Sequence, residues 1–158
     1  SISATTRSPR EGEIEGEHYF FKDKKTFEEM ILNQELIEYM EVHGNYYGTP
    51  KSFIQESLAN GKNIILDLDV YGKINFDKEY PDAIGIMILP PSLDIMEKRL
   101  RDRGTDDEKT IALRLKNARD EIQFSEEQGK YEYQLINDHL DSAASELEKI
   151  ILSEISNP

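Results

Sequence analysis

Cysteine is absent from this 158-residue chain. A disulfide scaffold and a metal site built from thiolates are therefore impossible. The purely apolar runs, such as 64–66 and 86–89, are far shorter than the ~20 residues that span a bilayer. The first residues include neither an initiator Met nor the apolar stretch of a signal peptide. We therefore expect a cytoplasmic protein with no membrane span.

Positive charge is scarce, with 19 Lys and Arg against 32 Asp and Glu and a formal net charge of −13. A surface of that sign repels a phosphate polymer, so we expect no nucleic-acid partner. The length suits a single domain that buries a core. We do not expect a metal site on the protein, because the three histidines, His18, His43 and His139, lack metal-ligand spacing and suit an ordinary surface.

The seven arginines are segregated along the chain, in contrast to the scattered lysines. They form an early pair and a later group: Arg7 and Arg10, then Arg99, Arg101, Arg103, Arg114 and Arg119. Arginine binds phosphate and carboxylate bidentately, so two such groups on an acidic protein favour a small, highly charged anion as ligand. The alternative is that the later group lies on solvated helix faces beside acidic neighbours.

Capping residues and apolar spacing predict alternating helices and strands. Helices are expected at 26–33, 50–59, 93–103, 106–128 and 140–155, and strands at 36–42, 45–49, 63–69, 84–89 and 135–138. Thr26 is the expected N-cap of the first helix, and His43 and Gly44 the turn between the first two strands. Apolar strands alternating with helices predict a mostly parallel α/β sheet covered on both faces.

Some polar residues occupy positions suited to a ligand. Asp67 and Asp69 end an expected buried strand, where each carboxylate meets solvent, a ligand or a cation, or caps the following turn. Tyr19, Tyr46 and Tyr47 fall in polar, glycine-containing loops, which favours ligand-binding hydroxyls, although tyrosine is also a good strand residue. Glu38 is a lone acid in an apolar strand pattern, so it either faces water or has a dedicated donor.

Several segments carry a specific combination of residues: SISATTRSPREGE at 1–13, GEHYFF at 16–21, GNYYGT at 44–49, LDLDVYG at 66–72, LPPS at 89–92, RDRGT at 101–105 and IND at 136–138. Together they resemble the guanylate kinase family over essentially the whole chain. The resemblance implies an α/β, P-loop-kinase-like fold, in which a mostly parallel sheet is flanked by helices and joined by a small mixed β subdomain and a helical lid. The implied GMP-binding subdomain is about 3–64, the core about 65–92 and 131–158, and the lid with its flanking helices about 93–130.

The resemblance also implies roles for residues that match the family's motifs. Phosphoryl transfer from ATP to GMP, giving ADP and GDP in purine metabolism, would use Mg²⁺ bound with ATP. The GMP phosphate would be held by Arg7, Arg10, Tyr19 and Tyr47 with Ser3 nearby, and the guanine base by Glu38, Thr49 and Asp67. Arg103 and Arg114 would close over the ATP phosphates, with Asn137 near the adenine. Arg7, Arg103 and Arg114 would be the catalytic residues.

One family feature does not occur in the sequence, namely the phosphate loop G-x-x-x-x-G-K-S/T. In the family it precedes the point where this chain begins, so we expect an upstream segment, without which the chain would be inactive. The rival hypothesis is a catalytically inactive guanylate kinase-like module that binds GMP or phosphopeptides. A binder of another nucleoside monophosphate would need a different set of base-reading residues. The oligomeric state stays open.

Overall fold

A computed structural model describes residues 1–42 and 44–156. The chain divides into two compact units, Ser1–Pro81 and Asp82–Pro158. The predicted turn at His43 lies outside the described residues. In the part of the chain that is described, no helix is long and apolar enough to cross a membrane.

The first unit is built on a four-stranded mixed sheet with strand order β2-β1-β4-β3. Its elements are β1 Ser3–Thr5, β2 Tyr19–Phe21, α1 Lys24–Leu32, β3 Leu36–Val42, β4 Asn45–Pro50, α2 Lys51–Ala59 and α3 Val70–Glu79. Strand β1 runs parallel to β2 and antiparallel to β4, and β4 pairs antiparallel with β3. The expected strands at 36–42 and 45–49 are thus confirmed.

The core of this unit forms where α1 packs against the sheet. Phe27 and Ala4 are fully buried beside Leu36. Tyr46 stacks on Phe27 with ring centroids 5.3 Å apart. Burial of a side chain the size of Phe27 contributes roughly 1.5–3 kcal/mol. Tyr46 is therefore a partly buried strand residue packed against the core, which agrees with the strand alternative for this tyrosine.

Two predictions about this unit need correction at helix starts. The N-cap of α1 is Asp23, not Thr26, because the Asp23 carboxylate accepts hydrogen bonds from the Thr26 backbone N–H and hydroxyl, both at 2.8 Å. The helix α3 was not expected at all. It begins after Asp69, whose carboxylate accepts a hydrogen bond from the Gly72 N–H at 2.6 Å. Of the two alternatives for Asp69, capping is therefore confirmed.

The predicted strand at 63–69 is also wrong. This segment is irregular, and Ile65 is 65% exposed. The Ile65 carbonyl accepts a hydrogen bond from the Ser1 amino group at 2.8 Å, but no described strand of the unit forms a ladder with the segment. An apolar sequence supplies strand propensity, whereas a strand exists only where a neighbouring backbone pairs with it.

The second unit contains β5 Ile86–Leu89, α4 Leu93–Arg103, α5 Glu108–Gln128, β6 Tyr133–Ile136 and α6 Leu140–Ser156. Strands β5 and β6 pair in parallel. The predicted ends of α4 are confirmed, since the Ser92 hydroxyl caps its start and Gly104 ends it in the left-handed region at φ 64°. Buried Leu100, Ile111 and Leu115 join α4 to α5.

The architecture is α/β as predicted, but less parallel than expected over the described residues. Between the strands of the described residues, the parallel pairs are β1 with β2 and β5 with β6, and 63–69 adds no further strand. Strand β6 begins two residues before the predicted 135–138 and ends before Asn137. The Asp138 N–H instead donates to the Ile136 carbonyl at 3.1 Å, which turns the chain away from the sheet.

Candidate functional site

Strand β4 carries two of the predicted binding residues, Tyr47 and Thr49. They lie two positions apart and so point to the same face of the strand, about 7 Å from each other. Around Tyr47 the structure gathers an arginine and a second tyrosine, and beside Thr49 it places a carboxylate. The face of β4 thus joins a cationic cluster to an acidic group.

Arg7 is the centre of the cationic cluster. It lies two residues after the end of β1, and its backbone N–H donates to the buried Thr5 hydroxyl at 3.2 Å. The guanidinium lies over the Tyr19 ring, with its carbon 5.4 Å from the ring centroid. The Tyr19 and Tyr47 rings meet edge to face with centroids 6.2 Å apart. Arg7, Tyr19 and Tyr47, three of the residues predicted to hold phosphate, are therefore neighbours.

Glu13 is the acidic partner of Arg7. The two side chains form a bidentate pair, with Nη2 to Oε1 at 2.8 Å and Nη1 to Oε2 at 3.0 Å. The hydrogen bonds from Arg7 and from the Arg10 backbone N–H hold the pKa of Glu13 at about 2. Glu13 raises the pKa of Arg7 above its usual value, and the Tyr47 hydroxyl, which accepts a hydrogen bond from the Arg7 guanidinium, raises it further. Arg7 is thus permanently charged, and sequence reasoning missed the residue that holds it.

The other residues predicted near the phosphate lie at the edges of this cluster. Ser3 is on β1, in register with Tyr19 of β2. The Arg10 backbone N–H donates to Glu13 Oε2 at 2.6 Å, and the residue itself is exposed. His18 is part of the local turn, since its Nδ1 accepts from the Ile14 N–H at 3.1 Å.

Glu38 on β3 has the dedicated donor that its position requires. The Thr49 hydroxyl donates to Glu38 Oε1 at 2.6 Å, and Thr49 itself is 1% exposed. Burial raises the pKa of Glu38, and the Asp69 carboxylate raises it further, while the Thr49 hydrogen bonds oppose the rise. The carboxylate is half-buried, and its two oxygens have acceptor capacity beyond the hydrogen bonds from Thr49.

Asp67 is exposed in the irregular segment before α3. No hydrogen bond described in this unit joins it to Glu38 or Thr49, the other two residues predicted to read the base. The residue of this region that lies next to Glu38 is Gly72, in the first turn of α3. A Cβ built on Gly72 would lie 3.5 Å from Glu38 Oε2, which marks the close approach of α3 to this carboxylate.

The second unit holds a cavity of about 290 Å³ beside β5 and α4. Its lining includes Arg103, Arg114 and Asn137, which are the residues predicted for ATP. Arg114 Nε lies 3.2 Å from the Asp106 carboxylate. Arg99 also lines the cavity, and its guanidinium donates to the carbonyls of Asn137 and Asp138 at 2.7 and 2.6 Å. The predicted ATP-binding set is therefore gathered around one cavity.

The charges of this cavity suit a polyphosphate with an apolar ring. Three guanidinium groups face it together with apolar side chains such as Met96 and Leu100. Arg99 is the member that sequence reasoning left without a role. Its position in the later arginine group was the only sequence feature that could have indicated a role. The fold shows what that role is: Arg99 binds the backbone carbonyls of the loop after β6.

Among the described side chains, no cluster of three or more His, Cys, Asp or Glu forms that could hold a metal ion. Mg²⁺ commonly binds through nucleotide phosphates with only one or two protein carboxylates.

The mixed β-sheet of the first unit and the parallel strand pair with helices of the second define the class as an α/β protein. Comparison with known proteins gives the family. The guanylate kinase family model matches residues 1–154. The chain is 46% identical to the guanylate kinase of Carboxydothermus hydrogenoformans over 158 residues, covering all of this chain and 76% of the relative. It is also 46% identical to the guanylate kinase of Synechocystis over 98% of this chain and 79% of the relative. The chain belongs to the guanylate kinase family.

A solved structure agrees with this assignment. The crystal structure of guanylate kinase from Anaplasma phagocytophilum superposes with a TM-score of 0.73 at 32% identity, covering 98% of this chain and 74% of that chain. The chain thus spans about three-quarters of the length of these relatives. The α/β fold shared with this structure supports the coarse architecture predicted from the sequence.

Proposed function

We propose that this protein transfers the γ-phosphoryl group of ATP to GMP, giving ADP and GDP. The observation that carries the proposal is the shared face of β4, where Tyr47 contacts Arg7 and Thr49 contacts Glu38. GMP has a phosphate at one end and a base with two parallel N–H donors at the other. A guanidinium and a carboxylate that contact two side chains about 7 Å apart on one face of β4 suit these two ends.

In this proposal the GMP phosphate lies against Arg7, Arg10, Tyr19 and Tyr47, with Ser3 at the margin. Glu38 accepts the guanine N1 and N2 hydrogens, Thr49 orients that carboxylate, and Asp67 binds the remaining edge of the base. The second unit's Arg103 and Arg114 neutralise charge on the ATP phosphates, and Asn137 lies toward the adenine. The GMP-binding part is about 3–64, the core about 65–92 and 131–158, and the lid about 93–130.

The chemistry asks for positioning and charge neutralisation more than for covalent catalysis. Arg7 holds the accepting phosphate, and Arg103 and Arg114 stabilise the charge that is spread over the transferred group. A lid that brings arginines and excludes water would provide both effects at once. Mg²⁺ would enter with ATP on its phosphates and reduce their negative charge. The setting would be purine metabolism in the cytoplasm.

Phosphoryl transfer from ATP also requires a phosphate loop. Because the 158-residue sequence has no G-x-x-x-x-G-K-S/T, the backbone cradle for the ATP β- and γ-phosphates is not supplied by these residues. We therefore propose that the chain by itself binds GMP without turning it over.

Titration calorimetry tests the binding half of the proposal. The chain should bind GMP more tightly than AMP and more tightly than guanosine. A chain that binds AMP and GMP equally would rule out a guanine-reading site, and equal affinity for GMP and guanosine would rule out the Arg7 cluster as a phosphate site.

A further inference from the structure

The ion pair between Arg7 and Glu13 uses only one edge of the guanidinium. Glu13 takes one hydrogen from Nη1 and one from Nη2, and the Ser8 carbonyl accepts a second Nη1 hydrogen at 2.8 Å. These bonds engage three of the five N–H donors that an arginine carries. The other edge, formed by Nε and the second Nη2 hydrogen, is not used by Glu13. The Tyr47 hydroxyl, itself a predicted phosphate-binding group, also accepts a hydrogen bond from this guanidinium.

Glu13 also fixes the loop that bears the arginines. Its Oε2 accepts from the Arg10 backbone N–H at 2.6 Å as well as from Arg7, and its own N–H donates to the Arg10 carbonyl at 3.1 Å. One carboxylate therefore ties the Arg7 side chain to the backbone of Arg10. The Arg7 and Glu13 side chains are only 15% and 17% exposed, so this is not a solvated surface pair.

We infer that Glu13 is a positioning residue for phosphate binding: it holds the Arg7 guanidinium so that its second edge is presented, already ordered, to the phosphate of the nucleotide. The inference rests on the proposed GMP-binding function. An arginine loses rotamer freedom when it binds, and prior ordering by a partner removes that cost from the binding step.

Simple electrostatics predicts that removal of Glu13 changes GMP affinity in the opposite direction, so the direction of the change distinguishes the two explanations. A carboxylate beside a phosphate site repels the phosphate and competes for the same guanidinium, so its removal would tighten GMP binding. Positioning predicts weaker binding on removal, because Arg7 would then have to be ordered by the ligand.

The test is calorimetric titration of the full 158-residue chain and its Glu13→Gln variant with GMP and with guanosine. Glu11→Gln is the matched control, because it removes the same charge from an exposed position in the same loop. We expect Glu13→Gln to weaken GMP about two- to tenfold and to leave guanosine unchanged. A melting curve of each variant checks that the fold is retained.

A double-mutant cycle with Arg7→Lys separates positioning from a general structural role. If Glu13 acts through Arg7, then Glu13→Gln costs GMP affinity in the parent and little in the Arg7→Lys background. Unchanged or tighter GMP binding by Glu13→Gln, or equal weakening of GMP and guanosine, would overturn the inference. If the parent itself fails to prefer GMP over guanosine, the proposed function fails first, which is a distinguishable result.

Discussion

The Thr49 hydroxyl donates a 2.6 Å hydrogen bond to the Glu38 carboxylate across neighbouring strands β4 and β3. Both groups are held before any ligand binds, since Thr49 is buried and Glu38 is half-buried. The donor to Glu38 uses one of the sites on a single carboxylate oxygen. The remaining acceptor capacity is what a guanine edge with two N–H groups requires.

The Glu38→Gln variant should lose most of its preference for GMP over AMP. Adenine places a bare N1 lone pair where guanine has N–H, and a site built on hydrogen bonds can reject such a mismatch by a factor of about 10⁴. Glutamine keeps the size of the glutamate side chain, but it has one acceptor oxygen where the carboxylate has two. Competition binding of GMP and AMP measures the effect. Glu41→Gln, an exposed acid on the same strand, is the control.

The same variant should not weaken the fold at neutral pH. Because burial raises the pKa of Glu38, the folded state favours the protonated form. Its contribution to stability is fully present below the ordinary glutamate pKa and is lost as pH rises through the raised value. At neutral pH the parent therefore carries a buried-charge cost that glutamine lacks. Urea denaturation compares them; a markedly less stable variant that still rejects AMP would contradict both statements.

Arg7→Lys should weaken GMP by about tenfold or more while changing guanosine little. Lysine keeps the charge, but it cannot keep the bidentate contact with Glu13 while offering a second planar edge to phosphate. Calorimetric titration of both ligands measures the difference. Arg101→Lys is the matched control, because Arg101 is also paired with carboxylates, those of Glu97 and Glu108, on an exposed helix face. Equal losses for both ligands would mean that Arg7 is only structural.

Acid should remove the stabilisation that Glu13 contributes. Its pKa is about 2 in the folded protein, below the ordinary value, so the contribution is present above the ordinary pKa and is lost as pH falls toward 2. The difference in melting temperature between the parent and Glu13→Gln should therefore shrink between about pH 4.5 and pH 2. A difference that stays constant over that range would show that the ion pair does not stabilise the folded state.

The 158-residue chain should show no ATP-dependent phosphorylation of GMP, whereas a version extended at its N-terminus with the phosphate-loop segment expected from the family should be active. The reason is the lack of a G-x-x-x-x-G-K-S/T in the sequence. A coupled assay of ADP release measures both proteins. Robust turnover by the shorter chain would contradict this account of how the ATP phosphates are held, and an inactive extended chain that binds GMP would favour a binding module.

Local signals in the sequence were sufficient for most of the helices and for the family. Ser92 caps the start of α4 and Gly104 ends it, as the capping preferences of serine and glycine predict. A cap can be predicted from the sequence because it depends on a few adjacent residues. The motifs at 1–13 and 101–105 likewise indicated guanylate kinase, and the family match over 1–154 agrees. The distribution of arginines predicts an anionic ligand, because residue type alone carries the phosphate chemistry, and this stays a prediction.

Pairing across the chain was decided only by the tertiary structure. Residues 63–69 have the composition of a strand, but no described strand forms a ladder with them. The strand predicted from their composition is therefore wrong. Tyr46 and Tyr47 are adjacent in sequence, yet one stacks in the core on Phe27 and the other meets Arg7, because successive residues of a strand face opposite sides. The fold also decides which side chains pair: Glu13 with Arg7, and Thr49 with Glu38. No local sequence pattern specifies these two contacts.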